Sequence, residues 1–503
     1  MGVTVSLVLN IERGQSQSTL QNQLYVQIRE SILSGTFRHE MPLPSSRRLA
    51  EDLGISRNTV VLAYERLFDE GYLQTQAGVG TFVTKSLPER CITVDVPPNK
   101  ARERIAPVVL KRPRLAFRGQ RLQFAEKGAG RPSIDFWYGS SNRRHFPLKA
   151  WRKLLVDNLS RTSTNLSDYG SPAGNLELRQ ALAERLGATR GIRAAADQVI
   201  ITAGAQEGMN LISRLLIEPG VRVAVEDPCY GGAARAFESY GAAIVPIPVD
   251  NEGIDIAALE IEPAVLAYVT PSHQFPTGVT LSLERRQRLL KWATTEGAYI
   301  VEDDYDSDFR YDGPPLMALA GLDRSDCVIY LGTFSKSIGA GLRLGFLVVP
   351  EHLVDSIVAI KSLMNYGHPW LDQIVVAEFI KSGGYERHIR GIRRLYRDAR
   401  DALLSALKRH FGEQYISGKY SGMHLMWSLP PSLAPANKFA ETALAHDVGV
   451  YPIDAVGAVD FGGVWKANGI VLGYSSLSAN QIEVGIKRLA DAYSGRTSRR
   501  RAR

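Results

Sequence analysis

The sequence predicts a multidomain chain: a small α+β unit, then a large α/β domain with a mostly parallel sheet and a smaller C-terminal lobe. Three observations carry that reading. Residues 17–86 run through three short amphipathic segments punctuated by glycines and close on two short β-patterned stretches. Residues 87–130 hold Pro88, Pro97, Pro98, Pro107 and Pro113 among many basic residues, the composition of an extended linker. In 131–495 short apolar runs (199–202, 221–225, 265–269, 298–301, 328–331) alternate with amphipathic stretches. That is the pattern of a parallel sheet covered by helices, and from about 385 it gives way to a helix-rich, then mixed, lobe.

Composition bounds the function. The 503 residues are 45% hydrophobic and 22% charged, which excludes a disordered or fibrous chain. No apolar run approaches the ~18–20 residues of a membrane helix, so no membrane partner is expected. The apolar stretch 3–9 has no basic residue before it and does not read as a signal peptide. Cys91, Cys229 and Cys327 are too scattered for a zinc site or a disulfide framework, and suit a reducing cytoplasm. No metal is expected. The net charge of +8 is unevenly placed: 1–90 balances nine basic against nine acidic residues. Residues 91–130 carry nine basic and three acidic, and the 496–503 tail carries five arginines. Polyanion binding is one reading of this and solvated linker charge the other.

In the first unit, Leu24, Ile28 and Ile32 recur at helical spacing and Gly35 ends that helix. A second helix follows Pro44, capped by Ser45 or Ser46, and runs to about Leu53. Gly54 makes the turn. Ser56 caps a third helix carrying Val60, Tyr64 and Leu67, closed by Gly71. Two strands, 72–75 and 81–84, flank Gly78-Val79-Gly80. In a helix-turn-helix the second helix of the pair enters the major groove with its N-terminal residues nearest the bases. Ser56, Arg57, Asn58 and Thr59 occupy that end. Arg57 has the fork to read a guanine edge, and Arg47, with the Ser46 and Thr59 hydroxyls, suits phosphates. Gly80 and Thr81 would bring backbone N–H groups to the sugar-phosphate chain. Either arginine alone reads as a solvated surface charge; the ordered context favours DNA. Leu43-Pro44-Ser45-Ser46-Arg47-Arg48-Leu49-Ala50, Leu53-Gly54-Ile55-Ser56-Arg57-Asn58-Thr59-Val60 and Gly78-Val79-Gly80-Thr81-Phe82-Val83 together resemble the winged helix-turn-helix of the GntR regulators. His39-Glu40 departs from the Pro-Gly usual there.

In the large domain Lys336 stands just past the run 328–331. A lysine at the mouth of a parallel sheet suits a Schiff base, because partial burial lowers its pKa. Arg343, seven residues on, could bind a phosphate with its fork. Asp303 ends another apolar run and could hold a pyridine nitrogen protonated, with Tyr305 at a phenolic oxygen. The acidic run 302–304 taken alone is equally a solvated loop or a metal site. Ala203-Gly204-Ala205-Gln206 opens a helix after a strand, a phosphate-binding geometry or a plain turn. Tyr230 puts a ring at a strand end, either to stack or to cover the sheet edge.

Taken together, 131–495 resembles the fold-type I enzymes that use pyridoxal 5'-phosphate (PLP), the class I aminotransferases. By that resemblance Lys336 forms the internal aldimine, Asp303 pairs with the pyridinium, Tyr305 contacts the phenolic oxygen and Tyr230 stacks on the ring. Ala205, Gln206, Thr333, Ser335 and Arg343 hold the phosphate, and Tyr169 reaches the phosphate of a partner subunit. There are two departures. Phe275 replaces the asparagine before Pro276-Thr277-Gly278, and Val471 stands where an arginine for the substrate carboxylate is usual, with Lys466 the nearest substitute. An effector without an α-carboxylate, or PLP itself, follows as an expectation. A GntR winged helix, a long linker and this domain in one chain resemble the MocR/GabR regulators. So do Ser272-His273-Gln274-Phe275-Pro276-Thr277-Gly278, Glu302-Asp303-Asp304-Tyr305-Asp306 and His388-Ile389-Arg390-Gly391-Ile392-Arg393-Arg394-Leu395-Tyr396. The resemblance implies a cytoplasmic, head-to-tail homodimeric transcription factor that binds operator DNA and senses an amine or amino compound, or PLP, through Lys336. A working aminotransferase with a fused regulatory domain is the alternative, and a DNA-binding protein with a cofactor-free scaffold is a third reading.

Overall fold

The computed structural model describes residues 9, 11, 18–76, 79–85, 87, 131–139, 145–160, 168–312, 316–433 and 435–501, with 494–501 as backbone only. The chain divides into two compact units, Met1–Pro113 and Arg114–Arg503. Apart from Leu87, the proposed linker 87–130 lies outside the described residues.

The first unit has α1 (Leu20–Leu33), α2 (Ser46–Leu53), α3 (Arg57–Asp69) and the strands β1 (Leu73–Gln76) and β2 (Gly80–Val83). Each helix opens on a hydroxyl that accepts a backbone N–H of its first turn: Thr19, Ser45 and Ser56. Of the two candidate caps for α2, Ser45 is the cap and Ser46 the first helical residue. Gly54 turns α2 into α3 at φ 61°, a left-handed conformation that a side chain would strain. Leu24, Ile28 and Ile32 meet Leu49, Val60, Leu67, Leu73 and Val83 in one core. The antiparallel hairpin pairs Leu73 with Val83 and Gln76 with Gly80.

The strands of the second unit begin with β3 (Ile134–Asp135), β4 (Val199–Thr202), β5 (Arg222–Asp227), β6 (Cys229–Tyr230) and β7 (Ala243–Asp250). They continue with β8 (Gly253–Ile254), β9 (Leu266–Val269), β10 (Tyr299–Asp304), β11 (Val328–Thr333) and β12 (Gly345–Val348). Eight of these form one sheet in the order β4-β12-β11-β10-β9-β5-β7-β8. The run β11-β10-β9-β5-β7 is parallel, whereas β12 is antiparallel to both its neighbours and β8 to β7. The reversal at β12 has a local cause. The chain from β11 to β12 makes only short helical turns, and a parallel return needs a longer crossover. It therefore doubles back and leaves Lys336 and Arg343 at the same end of the sheet. Residues of β4 and β9 are buried throughout, as expected of strands covered on both faces.

The C-terminal lobe contains a helix from Gly384 to Phe411 and the strands β13 (Tyr415–Ser417), β14 (His424–Ser428), β15 (Val448–Gly449), β16 (Tyr451–Pro452), β17 (Ala458–Val459) and β18 (Gly469–Gly473). Four of them form an antiparallel sheet in the order β13-β14-β18-β16. The last helix, Ala479–Arg501, carries its backbone through most of the arginine-rich tail. Among the described residues no helix is long and apolar enough to cross a membrane.

Candidate functional site

The first unit presents its polar residues at the N-terminal end of α3. Ser56 Oγ accepts the Thr59 N–H at 3.1 Å and lies 2.8 Å from Thr59 Oγ1, so these hydroxyls hold the helix start together. Arg57 and Asn58 are exposed in the first turn. Arg47 is exposed on α2 and pairs with Glu51 at 3.4 Å, a surface contact weak enough to exchange for a phosphate. Ser46 is half-buried at the start of α2. Gly80 is exposed at the start of β2, and Thr81 follows it half-buried.

In the second unit a cavity of about 220 Å³ opens where the parallel strands end. Lys336, Asp303, Tyr305, Tyr230, Ala205, Gln206, Thr333, Ser335 and Arg343 all line it. Tyr169 does not: its side chain is 85% exposed, and its ring lies 5.1 Å from that of Tyr366.

Lys336 sits in a single π-helical turn, Ser335–Gly339, directly after β11. Its Nζ donates to the Gly139 carbonyl at 3.3 Å. Gly139 has φ +68°, and a Cβ there would lie 2.5 Å from Nζ, so the glycine makes room for the amine. Arg343 donates to the Ala203 carbonyl at 3.1 Å. A Cβ on Gly204 would stand 2.8 Å from its Nη2. Gly204 precedes the helix Ala205–Leu216, which opens with no side chain capping it. A cation, a bare helix start and a backbone without Cβ thus surround one corner, the chemistry of a phosphate cup. The register fixes this corner, because Gly345 pairs with both Thr202 and Thr333.

Asp303 is buried on β10. Its Oδ2 accepts from Tyr268 Oη at 2.6 Å, while its Oδ1 is buried without a partner. Burial pushes this carboxyl up to about 7, against the lowering pull of the Tyr268 hydrogen bond. An unpaired carboxylate oxygen on the cavity wall fits the N–H of a pyridinium. Strand alternation separates Asp303 from its acidic neighbours. Glu302 accepts the backbone N–H groups of Leu319 and Ala320, and Asp304 pairs with Arg190 at 2.8 Å and Tyr330 at 2.6 Å. The acidic run is therefore neither a solvated loop nor a set of ligands for one ion. Tyr305 places its hydroxyl 2.9 Å from the His273 carbonyl oxygen. The ring of Tyr230 meets Phe275 edge-on at 5.9 Å.

Sequence reasoning missed Tyr138, Tyr268, Thr270, Met423 and His424, which line the same cavity. Tyr268 carried a signal: a buried phenol inside an apolar strand needs a partner, here Asp303. His424 carried none, since it arrives from the C-terminal lobe. Burial, then the neighbouring His273, pushes its imidazole well below the usual value. His273, Asp306 and His424 bring ligand atoms within 4.8 Å of one another. Within the cluster His273 Nδ1 lies 2.9 Å from Asp306 Oδ2, His424 Nε2 lies 3.1 Å from the Pro276 carbonyl oxygen, and His273 Nε2 is buried without a partner. Val471 is buried against Phe275 and Met426, where its side chain can donate nothing. Lys466 is exposed, with its backbone N–H on Asp460.

Residues 20–83 match the family of bacterial regulatory proteins, gntR family, and residues 136–462 match aminotransferase class I and II. The HTH-type transcriptional regulator YdeL of Bacillus subtilis strain 168 is 36% identical over 475 residues, covering 94% of this chain and 96% of its own. The probable rhizopine catabolism regulatory protein MocR of Rhizobium meliloti is 33% identical over 476 residues, 94% of each chain. Among solved structures, the kynurenine aminotransferase of Pyrococcus horikoshii, in complex with PMP, aligns with a TM-score of 0.66 at 31% identity. That alignment covers 72% of this chain and 91% of the other. The small unit is thus a GntR winged helix-turn-helix and the large one a fold-type I aminotransferase domain.

Proposed function

The chain belongs to the MocR-type transcriptional regulators, which join a GntR DNA-binding unit to an aminotransferase-like domain, and from that membership we propose that its large domain is a PLP-loaded effector sensor. The observation that carries this is the convergence of Lys336, the unpaired Asp303 Oδ1 and the Arg343–Gly204 corner on one cavity. When bound, PLP supplies an aldehyde that amines capture reversibly. Lys336 would hold that carbon. Asp303 would keep the ring nitrogen protonated, Tyr305 would contact the phenolic oxygen and Tyr230 would stack on the ring. Arg343, Thr333, Ser335 and the N–H groups of Ala205 and Gln206 hold the phosphate, and Tyr169, exposed on one copy, reaches the phosphate of a partner in a head-to-tail homodimer. The winged helix binds operator DNA in the cytoplasm, through Ser46, Arg47, Ser56 to Thr59, Gly80 and Thr81. An amine, an amino compound or PLP itself changes how the two winged helices are held. Sustained transamination is the less favoured reading, because Val471 leaves a substrate carboxylate without the arginine that aminotransferases usually place there.

Absorption spectroscopy tests this. Purified protein given PLP should show a visible band that borohydride fixes onto the chain, and Lys336→Ala should fold but lack it. A covalent band retained in that variant would remove Lys336 from its role. Titrating the band with amines that have and lack a carboxylate distinguishes the effector classes, and a keto acid formed over many turnovers would favour the enzyme.

A further inference from the structure

Tyr305 has one hydroxyl proton and three places to direct it: the His273 carbonyl, to which it donates here, His273 Nδ1 and the cavity. Its oxygen lies 2.9 Å from the His273 carbonyl oxygen and 3.2 Å from His273 Nδ1, and the residue also lines the cavity. His273 Nδ1 lies 2.9 Å from Asp306 Oδ2, with both side chains buried. A carboxylate at that distance keeps the imidazole proton on Nδ1. Nδ1 then cannot accept the tyrosine proton. The one Nδ1 proton is shared, mainly on Asp306 at 2.9 Å and in part toward the tyrosine oxygen at 3.2 Å, and a phenol that accepts becomes a stronger donor. The ring is closely housed: a Cβ on Gly278 would stand 2.8 Å from Nε2 and one on Gly418 3.1 Å from it, both at positive φ. Phe275 lines the same wall and donates nothing.

We propose that His273, held by Asp306, is a positioning residue that withholds its Nδ1 as an acceptor, so that the Tyr305 hydroxyl can turn from the His273 carbonyl to donate into the cavity, and strengthens it there. The inference rests on the PLP reading above, since the acceptor would be the phenolic oxygen of that cofactor. A donor at that oxygen draws electron density from the nearby nitrogen linked to Lys336, which then loses its proton at lower pH. The titratable groups facing the assembly are Asp303, Asp304, Glu226, Lys336 and His424. The phenols Tyr138, Tyr311 and Tyr474 face it too. Removing His273 does not leave a bare anion behind. Burial already raises the Asp306 carboxyl, which takes up a proton instead. The double substitution with Tyr305→Phe isolates the part of the effect that travels through Tyr305.

The test is a pH titration of the visible band in the full-length, PLP-loaded protein. His273→Leu should raise its midpoint by about 0.5–1 pH unit, a change of about three- to tenfold in the proton equilibrium. Tyr305→Phe should raise it as well, and adding His273→Leu to Tyr305→Phe should move it no further. Should His273→Leu fail to hold PLP, His273→Asn, whose amide reaches the Nδ1 position, should keep the wild-type midpoint while His273→Gln shifts it. An unchanged midpoint in His273→Leu, or a shift that persists in full without the Tyr305 hydroxyl, overturns the proposal. If wild-type protein gives no band with PLP, the cofactor reading itself fails, a result distinct from a normal band with an unmoved midpoint.

Discussion

Arg57 and Arg47 lie in the same helix pair but face different chemistry. Arg57 stands in the first turn of α3, the end that a helix-turn-helix brings to base edges, whereas Arg47 lies exposed beside Glu51 on α2. Arg57→Ala should cost about 1–3 kcal/mol of operator affinity and relax specificity at one base pair. Arg47→Ala should weaken all sequences alike and flatten the dependence of binding on salt. Titrations against operator variants at several salt concentrations separate the two, and normal operator binding by Arg57→Ala would misplace the recognition helix. Such residues are legible in sequence because a cap, a glycine turn and a helix start are local events. Asp303 was legible as a strand-end carboxylate. Its bond to Tyr268 was not, because 35 residues separate the partners and only strand pairing brings them together.

The ends of β5 and β10 each bury a carboxyl. Burial pushes Asp303 and Glu226 both up to about 7. A carboxyl raised on folding binds protons that the unfolded chain has released. Its contribution to stability is present below the unfolded value, near 4, and is lost as pH rises through about 7. Cofactor-free protein should therefore melt at a lower temperature near pH 8 than near pH 5.5. Asp303→Asn should shrink that difference, and so should PLP, whose pyridinium pairs with the carboxylate. Thermal denaturation at the two pH values checks this, and an equal difference in wild type and variant would show that Asp303 does not titrate there. At this scale the apolar runs identified five of the sheet's strands to within three residues at either end. They missed β7, β8 and β12: β7 alternates buried with exposed residues and carries Pro246 and Pro248, and β8 has only two residues.

Across the whole chain, charge is segregated. The net +6 of residues 91–130 joins a unit whose first 90 residues are electrically balanced. If that stretch supplies sequence-independent DNA affinity, neutralising Lys111, Arg112, Arg114 and Arg118 together should lower the salt slope of binding by up to about 0.9 per lost phosphate contact, with operator preference unchanged. An unchanged slope would leave these residues as solubilising charge. The sequence by itself determined the two units, the helix-turn-helix with its caps, and the position of Lys336, Asp303 and Arg343 beside strand ends. Each is written in short-range spacing or in residue type. Tertiary structure alone decided that Asp303 meets Tyr268 while Glu302 and Asp304 turn to Leu319 and Arg190, that Gly139 and Gly204 leave space for Lys336 and Arg343, and that His273, Asp306 and His424 meet beside Tyr305. These are contacts between segments far apart in the chain. They are fixed by strand register and by the docking of the C-terminal lobe, and no local pattern of residues encodes either.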